Sequence, residues 1–282
     1  MDALQHLAHS WLLAPPGRGY FAVMADYTHE FYADDSGSRR DTLTLSASGF
    51  LAPVERWNEF KLKWNQVKNE FGISGPFHAH LFATCKGEFE VFKGKANEQR
   101  RFIRKLIQVL RDHAVYGAAA SVVLSDYKAV NDIYLLDDAY GGPYPLCARL
   151  AIMWVDKWTE QHPEVKVKFI FEDGAHGNDA LFRVMHEEGR GSEISFLKKE
   201  DHPALEAGDF SAWERTRVLR KVIQRRQSGQ TFRGEADVRK SLRFLWREIP
   251  YDANVETRAT LLDLCQRGNV PLRKPTRPIL VK

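Results

Sequence analysis

Three acidic points, each beside a glycine and at the end of a predicted element, carry the chemistry open to this chain. Asp34-Asp35-Ser36-Gly37 closes an aromatic-rich strand beginning at His29, and Glu172-Asp173-Gly174 closes a second hydrophobic strand. Glu206-Ala207-Gly208-Asp209 stands at the mouth of a helix. Carboxylates where a chain leaves a sheet are costly to desolvate unless they hold a cation. The three points are therefore expected to meet around a divalent metal. A two-metal site needs oxygen ligands from several chain positions, with the ions about 3.5–4 Å apart. Adjacent strand residues point to opposite faces, so only one acid of each pair is a direct ligand unless the strand has already ended. For any one pair taken alone, an exposed strand-end acid is the competing reading.

Other chemistries find no support. There is no Gly-x-Ser-x-Gly elbow, no phosphate-binding glycine loop with Lys-Ser/Thr and no dinucleotide fingerprint. His78 and His80 lack a glutamate at helical spacing, so a zinc protease is not indicated. Cys85, Cys147 and Cys265 are few, odd in number and far apart, which suits reduced thiols in a cytoplasm.

The elements that must position the acids read as a mixed α/β pattern. The strand from His29 pairs with a strictly alternating one, Thr42–Phe50, across a loop of about six residues, and the alternation predicts a half-buried strand. A helix over Pro53–Phe71 follows, then a short extended piece around His78 and His80, then a helix over Asn97–His113. Val115–Leu124, rich in alanine, reads as a closely packed strand, and Asp126–Gly142 as irregular. Tyr144–His162 is a helix with Leu146, Leu150, Met153, Trp154 and Trp158 inward. Val165–Phe171 is the second acid-tipped strand, and Glu193–Leu197 reads as the last strand. Helices over Asp209–Arg226 and Ala236–Arg247 complete the order. A central mixed sheet with helices on both faces is expected. Residues 1–25, broken at Pro15-Pro16-Gly17, are expected to be a poorly ordered extension. Residues 26–227 form the α/β domain, and 228–282 a basic helical segment and tail.

At 282 residues the chain can bury a sizeable core, and it holds no apolar run of about 18 residues that would span a membrane. The net charge is only +4. Between Glu214 and Arg247, however, eleven Lys and Arg face three acids, so the remainder of the chain is net negative. A basic segment on an acidic body suits an anionic polymer such as nucleic acid, with Arg217, Arg220, Lys221, Arg225, Arg226, Arg239, Lys240 and Arg243 as the contacts. A merely solvated helical face is the competing reading.

Asp34-Asp35-Ser36-Gly37, His78, the strand ending Glu172-Asp173, and Leu205-Glu206-Ala207-Gly208-Asp209 with Phe210-Ser211-Ala212 together resemble the bacterial and phage "domain of unknown function 3800" family. The resemblance runs from about residue 29 to 220. That family shows Asp-Glu-Ser-Gly at the first point and Leu-Gln-x-Ala-Asp at the last, so Asp35, Glu206 and Gly208 depart from it. The resemblance implies a ribonuclease H-like fold and metal-dependent cleavage of phosphodiesters, that is, a nuclease.

Both lines together give Asp34, Asp173 and Asp209 as metal ligands, with Asp35, Glu172 and Glu206 as alternates. Mg²⁺ or Mn²⁺, two ions, is the expected cofactor. Lys198 or Lys199 would steady charge on the phosphorus centre, and His78 would shuttle a proton. A non-catalytic nucleic-acid-binding protein, or an interaction protein of a mobile element or defence system, is the alternative.

Overall fold

The computed structural model describes residues 27–37, 43–175, 177–229, 243, 245 and 247–273. Among them six strands form one mixed sheet in the order β5-β4-β1-β2-β3-β6. β1 (His29–Ser36) runs antiparallel to β2 (Thr44–Pro53), and β2 antiparallel to β3 (Tyr116–Val123). On one side β4 (Val167–Glu172) and β5 (Ile194–Leu197) extend the sheet in parallel from β1. On the other, β6 (Tyr251–Glu256) adds in parallel to β3. This is the mixed sheet with helices on both faces that was expected.

The two-residue period of β1 and β4 sorts their side chains onto two cores. Phe31, Ala33, Phe169 and Phe171 pack with Leu146, Cys147 and Ala151 of helix α6 (Pro143–Thr159). Tyr32 and Ile170 pack on the other face with Trp57, Phe60 and Trp64 of α1 (Val54–Glu70) and Phe102 of α3 (Ala96–His113). Leu205 and Phe210 of α8 (Pro203–Gln227) belong to this second core. α8 lies across β1 and β2. With a helix layer on each side, β2 is buried from Thr44 to Ala52, not half-buried as alternation suggested. Thr44, Ser46 and Ser48 are as inaccessible as its apolar residues.

Several elements differ from expectation. The piece with His78 and His80 is not extended, because Ala79–Thr84 forms the short helix α2 with His78 just ahead of it. Residues 126–142 are largely helical, as α4 (Leu124–Asn131) and α5 (Leu136–Tyr140). Tyr127 Oη and Asn131 Nδ2 donate to Asp137 at 2.8 and 2.6 Å, which ties the two short helices together. Helix α7 (Asn178–Glu187) lies between β4 and β5. Met153, expected inward, is 45% exposed. Glu193–Leu197 is not the last strand: β6 and α9 (Arg258–Arg267) bring the C-terminal segment back onto the main sheet. The expected extension at 1–25, the helix over 236–247 for the most part, and the tail beyond residue 273 lie outside the described residues. No described helix is long and apolar enough to cross a membrane.

Candidate active site

The end of β1 places Asp34 and Asp35 on opposite faces. Asp34 follows Tyr32 onto the α8 side, where it is 3% exposed. Its Oδ1 accepts from the Asp35 N–H at 2.7 Å. Asp35 follows Ala33 toward α6, and its charge, after burial itself, helps push the Tyr144 hydroxyl well above the usual phenol range. β4 pairs with β1 so that Ala33 is level with Phe171, which sets Glu172 beside Asp34 on the same face. Asp173 is past the strand end and exposed, with its N–H donating to Leu197 O at 2.8 Å.

Asp209 comes from the second turn of α8, and Gly208 decides how near it comes. A Cβ at Gly208 would lie 2.9 Å from the Asp34 backbone N and 3.2 Å from Ser48 O. The helix thus rests directly on the strand backbone, a closeness only glycine permits. Asp209 Oδ2 accepts from the Ala79 N–H at 3.2 Å, at the start of α2, with His78 Nδ1 3.8 Å away.

At the centre is a residue from the turn between β5 and α8. Lys199 Nζ lies 2.7 Å from Asp34 Oδ2, 3.1 Å from Glu172 Oε2 and 3.2 Å from Asp209 Oδ2. The ammonium's three N–H donors thus match three carboxylates from three elements. Burial opposes its charge, but Asp209, Asp34 and Glu172 outweigh it and hold the Lys199 pKa well above the usual lysine value. One ammonium does not balance three acids. Burial raises the Asp34 carboxyl well above the usual range, and the charges of Asp209, Glu172 and Asp35 add to this against Lys199. Exposure of the side chains climbs from Asp34 (3%) through Asp209 (14%) and Glu172 (28%) to His78 (39%), so the site opens on the Glu172–His78 side.

Of the residues expected here, the structure brings together Asp34, Glu172 and Asp209, with His78 at the rim. Glu172 takes the place given to Asp173, because the strand continues one residue past Phe171 and only then turns away. Glu206 is elsewhere. It is 1% exposed, and its two oxygens accept from Lys68 Nζ at 2.7 Å and Trp64 Nε1 at 2.5 Å, both on α1. Lys68 Nζ also donates to Gly75 O at 3.0 Å. Burial pushes the Glu206 carboxyl up while Lys68 and Trp64 oppose it. This carboxylate locks α8 to α1. Lys198 is exposed, and Lys199 takes the central role. The signal was the same two-residue period: Leu197 joins the α8-side core and Phe196 the other, so Lys199 continues on the side of the acids.

α8 divides into two halves. From Pro203 to Thr216 it is mostly buried, seated by polar contacts from Ser48 Oγ to Ser211 Oγ at 2.7 Å and Thr216 Oγ1 to Ser46 Oγ at 3.0 Å. Arg215, counted in the basic segment, is 8% exposed and donates to Ser121 Oγ at 2.6 Å and Asn254 O at 2.5 Å. It holds the sheet and does not face solvent. Beyond it Arg220, Lys221 and Arg226 are exposed, Arg225 and Arg243 half-buried, and the Arg217 guanidinium lies 5.1 Å over the Trp213 ring. Arg239 and Lys240 fall outside the described residues.

No family model matches the chain. No curated protein matches it. Among solved structures it is similar to Bst-RNase HIII in complex with Mn²⁺, at 11% identity over 87% of this chain and 81% of that one, with a TM-score of 0.40. It is also similar to a mutant form of Bst-RNase HIII, at 9% identity over 77% of this chain and 66% of that one, with a TM-score of 0.38. Likeness at this level says nothing of the chemistry at the site.

Proposed function

We propose that this chain is a cytoplasmic metal-dependent phosphodiesterase acting on nucleic acid. The observation that carries the reading is the convergence of Asp34, Glu172 and Asp209, from β1, β4 and α8, on one point at the C-terminal ends of two parallel strands. The resemblance of these motifs to the domain of unknown function 3800 family supports it.

The donor set suits a hard divalent ion. It is all carboxylate oxygen, and with Lys199 included it keeps a net charge of about −2. Asp34, Glu172 and Asp209 would hold Mg²⁺ or Mn²⁺. Such an ion, when bound, supplies positive charge against phosphate oxygens and lowers the pKa of the attacking water. Asp34, at the buried end, fixes the depth of the site through its bond to the Asp35 N–H. Asp209 is oriented by the Ala79 N–H. His78, at the rim beside Asp209, would exchange a proton with solvent or with a leaving oxygen. The exposed second half of α8 continues from Asp209 and carries Arg220, Lys221 and Arg226, about 16–26 Å further along its axis at 1.5 Å per residue. That reach is suited to phosphates of a bound strand away from the scissile one.

The test is cleavage of single- and double-stranded DNA, RNA and their hybrid with Mn²⁺, by wild type, Asp34→Asn and Asp209→Asn. Cleavage of at least one substrate by wild type alone is expected. No cleavage by wild type, or equal cleavage by Asp209→Asn, overturns the proposal. A second reading is favoured by the ammonium at the shared point: a nucleic-acid-binding protein whose acids are permanently held by Lys199. Binding of oligonucleotides without any Mn²⁺ uptake would select it.

A further inference from the structure

We infer that Lys199 is the resident counter-ion of this site and is exchanged for the divalent ion, so that lysine and metal compete for one set of carboxylates. The inference rests on the metal-dependent reading above and goes beyond it in assigning a regulated, two-cation site.

The oxygens decide it. Lys199 Nζ takes one oxygen from each acid, Asp34 Oδ2, Glu172 Oε2 and Asp209 Oδ2, at 2.7–3.2 Å. These are N–H···O⁻ distances, whereas Mg–O distances are about 2.1 Å. A divalent ion held by these same three oxygens would take the place of the ammonium. Among the described residues no trio of metal-ligating side chains stands ready at metal-binding spacing, here or around another point. A second Asp34 oxygen is already committed to the Asp35 N–H.

The lysine is built for exchange. Without metal, three carboxylates around one point would repel one another, and a single charged group with three donors answers each of them. The ammonium is on a flexible four-carbon stem anchored in the turn that precedes α8, so it can withdraw without moving a strand. Glu172 and His78 at the open rim mark the exit, since they are the most exposed members of the group. The acids are thus kept gathered in the absence of metal, and the metal binds only by expelling a held charge. Affinity for metal is set below what three carboxylates alone would give.

Two measurements test the exchange. The first is Mn²⁺ binding followed by electron paramagnetic resonance of the free ion, for wild type and Lys199→Gln. Lys199→Gln keeps a donor and removes the charge, and it is expected to bind Mn²⁺ about tenfold more tightly, within the ordinary span of coupling between two ligands. It is also expected to melt lower than wild type in chelator. The second uses unaltered protein: acetylation by an amine-reactive ester, read by mass spectrometry, with chelator and with saturating Mn²⁺. Lys199 is expected to be protected in chelator and labelled with Mn²⁺. Equal or weaker Mn²⁺ binding by Lys199→Gln, or unchanged protection of Lys199 in Mn²⁺-loaded protein, overturns the exchange and leaves the metal site standing. No Mn²⁺ uptake by either protein overturns both.

Discussion

Glu206→Gln separates the two roles open to that residue. Glu206 and Lys68 form an ion pair at 2.7 Å with side chains 1% and 5% exposed, and the other Glu206 oxygen accepts from Trp64 at 2.5 Å. Both neighbours are donors. A glutamine offers one oxygen and one NH₂, so either Trp64 or Lys68 loses its acceptor, and Lys68 is left charged and buried without a counter-ion. Removing one partner of a buried pair costs about 3–5 kcal/mol. The hydrogen bond that glutamine keeps recovers part of this, so about 3 kcal/mol is expected, a fall of roughly 6–12 °C in melting temperature. Replacing both partners, Lys68→Met with Glu206→Met, should recover much of the loss, and a double-mutant cycle gives the coupling. Thermal melts of each protein with chelator and with Mn²⁺ are the assay. The Mn²⁺ stabilisation should survive Glu206→Gln, because Glu206 faces α1 and not Lys199. Chelator stability equal to wild type together with loss of the Mn²⁺ effect would refute the reasoning and return Glu206 to the ligand set.

Gly208→Ala should destabilise the protein and reduce any activity. In an ordinary helix interior this change gains about 1 kcal/mol, but here α8 must retreat by about 0.5 Å from the Asp34 backbone, at a cost of about 1–3 kcal/mol for overpacking. A gain in melting temperature with activity intact would show that the close approach is not required. In chelator, stability should fall as pH rises from the ordinary carboxylate range through the raised pKa of Asp34, since the folded state holds that proton more tightly than the unfolded chain. Asp34→Asn should flatten this fall and leave neutral-pH stability equal or higher, as chemical denaturation across pH will show. Replacing Arg220, Lys221, Arg225 and Arg226 by Ala should flatten the salt dependence of duplex DNA binding by about 0.9 log unit per lost phosphate contact. Arg215→Ala, in contrast, should lower stability without changing that slope, because its guanidinium is bound to Ser121 and Asn254.

The strands that carry the acids were legible because alternation and strand-end glycines survive in a single sequence. Asp34 follows from that, Glu172 needed only the strand to run one residue further, and Asp209 was marked by the glycine beside it in its helix. The half-burial expected of β2 failed because a pattern of Thr and Ser alternating with Leu and Ala reads as one wet face. Here the Ser46 and Ser48 hydroxyls are satisfied by Ser121, Ser211 and Thr216 across a buried interface. Glu206 misled for a similar reason. Its partner Lys68 lies 138 residues away, and nothing local shows that a carboxylate is already paired. β6 was hidden by its composition: Tyr-Asp-Ala-Asn-Val-Glu is an edge strand with two exposed positions and little apolar signal. The departure of Glu206 from the glutamine of the resembled family now has a physical partner in Lys68.

The return of the C-terminal segment to β3 bears on how the molecule is made. During synthesis the β1–β2–β3 meander emerges first, yet the outer edge of β3 stays unpaired until residues 251–256 arrive. The hydroxyl-lined face of β2 waits for α8 as well. A nascent chain therefore holds all three acids before its sheet is complete, and it exposes an alanine-rich edge open to pairing with other chains. A chain cut after residue 227 carries every member of the acidic site but lacks the strand that seals β3. It should aggregate during expression rather than accumulate as an active fragment.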